Sequence, residues 1–242
     1  MAHLHWKGPS KLTGDPIMSI LTGIDNPSRN IKTGNVIQQW IMPENVNPIE
    51  AVKTGADEAV CGNCSLRGDG TGKGRACYVN LHYAPNQIYK QKEKLKELEN
   101  HLLFNKVLRL GAWGEPCAVP IQEIARLAKH AYKTIGYTHQ WRTCDPDFKK
   151  FVMASIETPE EYHLASSQGW NTFRIRKPGD KVFRTESKCP ASKEVGANMT
   201  CYTCTRCVGA DLSKKQISVS IEIHGIGKNH FMRREDGHNQ QL

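Results

Sequence analysis

Apolar positions along this chain fall into short runs separated by polar, glycine-rich stretches. Residues 36–42 (Val-Ile-Gln-Gln-Trp-Ile-Met) have strand character and stop at Pro43. Similar runs recur at 106–111, 134–138, 151–155, 171–176, 182–185 and 217–224. Between them the period changes. Ile121, Ile124, Ala125, Ala128 and Ala131 follow Pro120 at helical spacing. Thr158-Pro159-Glu160-Glu161 supplies an N-cap threonine, a proline at the first helical position and a glutamate three residues on. A longer helix is expected over 86–104, where Ile88, Leu95, Leu98 and Leu102 share a face.

Strands alternating with helices imply parallel βαβ units. The expected fold is therefore α/β, a partial or irregular (β/α) barrel of about six to seven mostly parallel strands. An open doubly wound sheet is the competitor. No Gly-x-Gly-x-x-Gly follows the first strand, which disfavours its dinucleotide-binding form. Residues 1–35, rich in Gly, Pro, Ser and Asn, read as an N-terminal arm or loops. The barrel-like domain is expected over 36–225, with cysteine-rich metal-binding insertions at 61–77 and 189–207. Residues 226–242 read as a basic C-terminal tail.

Composition narrows the function classes. No apolar run approaches the roughly 18 residues of a membrane-spanning helix, and the first residues lack a signal-peptide core. A cytoplasmic location without membrane partners is the expectation. Lys plus Arg is 33 against 24 Asp plus Glu, a formal net charge of +9. That surplus favours polyanionic partners, a nucleotide or nucleic acid. Nine cysteines in a reducing compartment point to metal binding or redox work rather than disulfides.

Two cysteine sets carry the strongest signal. Cys189-Pro190 is followed, after a gap of 11 residues, by Cys201-x-x-Cys204-x-x-Cys207. Four thiolates suit a [4Fe-4S] cluster or a zinc ion, and two successive two-residue gaps with a separate Cys-Pro favour the iron–sulfur cluster. The other set is Cys61-x-x-Cys64 and, after 12 residues, Cys77. Its fourth ligand is His82, Cys117 or Cys144, or none, which would leave one metal position open to a small molecule. Cys117 and Cys144 otherwise read as inert small residues.

In a (β/α) barrel, chemistry gathers at the C-terminal ends of the strands. There the sequence places Arg109, Trp113, Glu115, His139, Trp141, Ser155 and His224. Glu115, His139, Ser155 and His224 are the candidate catalytic residues, the first two as general acid and base. Arg109, Trp113 and Trp141 are candidates for cofactor binding, with the indoles able to stack on a flat ligand. The loop Gly68-Asp-Gly-Thr-Gly-Lys-Gly74 lacks the P-loop spacing and reads as flexible. Lys73, Arg75, Lys228, Arg233 and Arg234 remain candidates for phosphate contact.

Cys61-Gly-Asn-Cys64 with Cys77-Tyr78, Arg109 with Gly114-Glu115-Pro116, Tyr137-Thr138-His139, and Cys189-Pro190-Ala191-Ser192 together resemble an uncharacterised family of cysteine-rich bacteriophage proteins. The resemblance spans most of residues 30–225. It implies a phage origin, hence the host cytoplasm, rather than an activity. The architecture is also similar to radical S-adenosylmethionine enzymes, which combine a partial barrel, a three-cysteine cluster and often a C-terminal cluster. Their usual motif has gaps of three and then two residues, where this chain has two and twelve. The resulting expectation is an iron–sulfur enzyme with one or two clusters, S-adenosylmethionine as a candidate cofactor, and a nucleotide or nucleic-acid-related substrate. The alternative is a non-catalytic module, stabilised by zinc or an iron–sulfur cluster, that binds nucleic acid or a host protein.

Overall fold

The computed structural model describes residues 2–27, 30–211 and 213–233. Parallel strands covered on both faces are near-continuous apolar runs, and most of the runs above do form strands. The larger sheet holds β1 His3–Pro9, β2 Pro16–Thr22, β3 Ile37–Pro43, β4 Lys96–Glu97, β5 Val107–Trp113 and β6 Lys133–Ile135. Their spatial order is β4-β1-β2-β3-β5-β6. The β1–β2 and β2–β3 pairs are antiparallel and the rest parallel. The second sheet is wholly parallel: β7 Tyr137–Thr138, β8 Met153–Ile156, β9 Thr172–Arg176, β10 Glu186–Lys188 and β11 Ser218–Glu222, in the order β10-β11-β9-β8-β7.

One segment joins the two sheets. β6 pairs with β5, and β7, one residue later, pairs with β8. Gly136 is the residue between. A Cβ there would lie 2.8 Å from the Leu110 carbonyl oxygen, so only glycine lets the chain pass this close to β5. Among the described residues no ladder joins the outer edges β4 and β10. The architecture is thus mixed α/β with two mostly parallel sheets, and closure into a barrel is not seen.

Helices α1 Pro48–Thr54, α2 Glu58–Cys61 and α3 Ala84–Tyr89 lie between β3 and β5. α4 Ile121–His130 crosses from β5 to β6 and buries Ile124 and Leu127. α5 Pro159–Ser167 crosses from β8 to β9, and its start carries the expected capping box between Thr158 and Glu161. The short α6 Cys201–Cys204 lies between β10 and β11, and α7 Lys228–Met232 follows β11. No described helix is long and apolar enough to cross a membrane.

Several expectations are corrected. Residues 1–35 are not merely an arm, because β1 and β2 form an antiparallel hairpin within the larger sheet. Ile17, Ile20 and Leu21 of β2 have no accessible surface. β1 hides its inward face from a hydropathy reading because that face carries His3 and His5, which are 3% and 6% exposed. The helix expected over 86–104 ends at Tyr89. Beyond it the backbone turns to pair β4 with β1, and the Leu98 amide donates to the Leu4 carbonyl. The run at 182–185 is not a strand, and the ladder begins at Glu186. Of the tail 226–242, residues 226–233 include α7, while Arg234 lies outside the described residues.

Candidate metal centre

Both cysteine sets face one cavity. Its wall includes Cys61, Cys64 and Cys77 of the first set together with Cys189, Cys201 and Cys207 of the second. Cys64, Cys77, Cys201 and Cys207 also pack against one apolar cluster built around Phe173, Ile175 and Ile221.

The first set is positioned by local backbone bonds. Cys61 ends α2, and its carbonyl accepts from the Cys64 amide at 3.1 Å and from Gln140 Nε2 at 3.1 Å. The Leu66 carbonyl accepts from the amides of Ala76 and Cys77, both at 3.0 Å, which returns Cys77 to the first two cysteines. Arg67 pins the intervening glycine loop by donating to Asp57 Oδ1 at 2.8 Å and to the Gly55 carbonyl at 2.7 Å. Arg75 is spent on the Cys77 and Val79 carbonyls, so it serves this loop rather than an external phosphate.

The second set is tied to the sheets and to the segment before β3. The Cys189 amide donates to the Ser220 carbonyl of β11. The Cys207 carbonyl accepts from the Gly136 amide at 2.8 Å, at the junction of the two sheets. The Cys201 amide donates to the Lys32 carbonyl at 2.9 Å. Thr200 caps α6 in a capping box with Thr203. Cys204 does not line the cavity, yet it lies close enough to help raise the thiols of Cys189, Cys201 and Cys207.

Burial, followed by mutual repulsion of the sulfurs, pushes the Cys61 and Cys207 thiols well up. Burial likewise raises Cys77, Cys189 and Cys201. Such crowded thiols stay protonated until a metal displaces the protons, the chemistry expected of a thiolate metal site. The spacing bears on which metal. Four thiolates around one zinc ion, each about 2.3 Å from the metal, stand about 3.8 Å apart. Among the described residues, one group of three or more candidate ligands has its atoms all within 4.8 Å, and it is Cys64, Glu115 and His139. No three cysteine sulfurs are that close. Among the described residues, neither cysteine set has three sulfurs at the spacing of a closed single-ion thiolate site.

Glu115 and His139 form the polar floor beside Cys64. Glu115 follows a tight turn in which a Cβ on Gly114 would meet the Ile41 carbonyl oxygen at 2.6 Å. The Glu115 carboxylate is buried and accepts three hydrogen bonds: Thr138 Oγ1 at 2.6 Å, the His139 amide at 3.0 Å and His139 Nδ1 at 2.9 Å. His139 Nε2 lies 3.1 Å from Ser155 Oγ. Burial opposes charge on His139, but the neighbouring Cys64 and Glu115 outweigh it and hold its pKa well above the ordinary value.

The predicted site residues divide accordingly. Glu115, His139, His224, Arg109 and Trp113 line the cavity. Ser155 is buried behind His139 and off the wall. Trp141 is not available for stacking on a cavity ligand. It is 3% exposed in the main core, with its indole N–H donated to the Ser155 carbonyl. His82 is off the wall, as are Cys117 and Cys144, which line a second cavity. Sequence reasoning missed Lys32, hidden in the presumed arm, and the cavity-facing ring of Tyr78. Its adjacency to Cys77 was the available signal.

Comparison with protein-family models, curated proteins and solved structures found no match to this chain.

Proposed function

We propose that this protein is an iron–sulfur enzyme in which Cys61, Cys64 and Cys77 hold a cluster with one open iron. Cys189, Cys201, Cys204 and Cys207 hold a second, closed cluster. The reading is carried by one observation: two cysteine sets far apart in sequence open onto the same cavity. A closed set of four thiolates suits a structural or electron-relay centre, and the incomplete set is where substrate enters.

When bound, such a cluster supplies one-electron chemistry and a Lewis-acid position. The chain's own residues do the rest. Glu115 orients His139 through Nδ1, and His139 carries a proton at the cavity wall beside Cys64. The apolar side chains of Phe173, Ile175 and Ile221 limit water around it. S-adenosylmethionine is the candidate co-substrate, from the incomplete three-cysteine set, and a nucleotide or nucleic-acid-related molecule the candidate substrate, from the net charge of +9.

Anaerobic purification followed by iron, zinc and acid-labile sulfide analysis tests the reading. A brown protein containing iron and sulfide, with a visible spectrum altered by S-adenosylmethionine, is expected. A colourless protein containing zinc alone sinks it.

A second reading has its own support. Cys64, Glu115 and His139 lie close enough to hold a single zinc ion with an open position. Under it the protein is a zinc enzyme, or a zinc-stabilised binding module, and Cys77→Ala leaves its metal content unchanged.

A further inference from the structure

Arginines built into this fold normally face carboxylates. Arg67 pairs with Asp57 at 2.8 Å and Arg174 with Glu186 at 2.7 Å, while Arg176 meets Glu194 and Glu222. Arg75 departs from this by donating to the Cys77 and Val79 carbonyls. Arg109 departs from it inside the cavity, which it reaches from β5, and among the described residues it pairs with no carboxylate. Its Nη2 donates to Tyr78 Oη at 2.7 Å and to Tyr137 Oη at 3.2 Å. Phenol oxygens accept these hydrogen bonds and fix the guanidinium without supplying the carboxylate partner the other arginines have. Both hydrogens of Nη2 are thereby used, while Nη1 and Nε remain available to a ligand.

A second cation shares the cavity. Lys32 Nζ lies 3.2 Å from His224 Nε2. The other nitrogen of His224, Nδ1, donates to the Glu222 carbonyl at 3.0 Å, which leaves Nε2 as an acceptor for the lysine. Lys32 retains two further N–H donors, and it too pairs with no carboxylate among the described residues. The carboxylate on the cavity wall, Glu115, is already saturated by Thr138 and His139. Two fixed cations therefore face the cavity with no carboxylate among the described residues to balance them. The wall beside them is apolar and aromatic: Tyr137 stacks on Phe173 with ring centroids 4.5 Å apart, and Ile175 and Ile221 continue the surface.

We propose that Arg109 and Lys32 form a receptor for the oxyanion, carboxylate or phosphate, of a compact substrate whose apolar body lies against Tyr78, Tyr137 and Phe173. The guanidinium fork matches either oxyanion geometrically, and the phenols hold it in place for bidentate contact. The proposal rests on the iron–sulfur reading for what happens to the bound molecule, but binding itself needs no metal. The rival role for these cations is to offset the thiolates of the second set, since Arg109 and Lys32 both lower the pKa of Cys201.

Calorimetric titration of the purified protein with benzoate, phenyl phosphate and neutral benzamide separates these roles, with metal and sulfide measured on every sample. At least one anion binds saturably, and benzamide does not. Arg109→Gln weakens that binding about tenfold or more and Lys32→Gln more modestly, with metal content per chain unchanged. The tighter of the two anions identifies the source of the oxyanion. The proposal is overturned if no probe binds, if benzamide matches the anions, or if Arg109→Gln binds like the parent. It is equally overturned if Arg109→Gln loses metal in step with binding. Should Arg109→Gln not fold, as judged by its melting transition, Lys32→Gln decides the matter on the same criteria. Arg109-dependent anion binding by a protein devoid of iron would refute the cluster assignment and leave the receptor standing.

Discussion

Glu115 gives the sharpest test of the polar floor, because three donors converge on its two oxygens. Thr138 Oγ1 and the His139 amide share Oε2, and His139 Nδ1 takes Oε1. The Glu115 side chain is 7% exposed, so water cannot replace these bonds. Glu115→Ala removes every acceptor at once and leaves buried donors unpaired, at a cost of about 3–5 kcal/mol. Glu115→Gln behaves differently. Its amide oxygen can take the place of Oε2 and keep two of the donors. Its NH2 group then faces His139 Nδ1, which becomes an acceptor once the imidazolium, no longer held by the carboxylate charge, sheds its Nδ1 proton and keeps the one on Nε2. Ser155 Oγ, at 3.1 Å, can accept that proton's hydrogen bond. The loss is then limited to the charge assistance of the original bonds, about 1–2 kcal/mol. For a chain of this size one kcal/mol moves the melting temperature by about 2–4 °C. Thermal melts at pH 7 should therefore place Glu115→Gln about 2–8 °C below the parent and Glu115→Ala about 6–20 °C below it. If the two variants melt together, or both melt with the parent, the three-donor account of this carboxylate is wrong.

Other perturbations give separate readouts. Cys207→Ala should remove metal from the second set, whereas Cys117→Ala, which alters a residue off the metal cavity, should leave metal analysis unchanged. His5 is held neutral by burial, then by the neighbouring Arg126, with its pKa lowered to about 3. A folded-state pKa below the unfolded value means that its contribution is complete above about pH 6.5 and drains away as pH falls toward 3, by up to about 1.4 kcal/mol per pH unit. Urea melts from pH 7 to pH 4 should show a shallower loss in His5→Asn than in the parent, and equal slopes would refute this. Arg174 and Glu186 form a bidentate pair with side chains 3% and 0% exposed. Glu186→Gln should cost about 3–5 kcal/mol by denaturant melt, and more than the double change Arg174→Leu with Glu186→Leu, because one buried charge left alone is worse than none.

What the sequence could and could not reveal follows from where each piece of information resides. Runs such as residues 106–111 and 151–155 are legible because a parallel strand buried on both faces needs little beyond its own apolar residues. β1 is illegible because its buried positions are His3 and His5, each held through one ring nitrogen, by Asp25 and Ser19 respectively, in contacts no local pattern announces. The helix expected over 86–104 failed for a related reason: its periodicity was real, but pairing of Lys96 and Glu97 with β1 overrode it. The cysteine sets were readable as spacing, since residues two apart in gap share a turn wherever the chain goes. Their convergence was not. It depends on Gly136 passing close to Leu110, so that one strand leaves the larger sheet and opens the smaller one, and on the Cys207 carbonyl taking the Gly136 amide. Lys32 reaches the same cavity through its own carbonyl, bonded to Cys201, from a stretch that looks like loop in isolation. The site is therefore a property of the sheet junction: local sequence specifies which atoms are offered, and a glycine between two strands decides what they face.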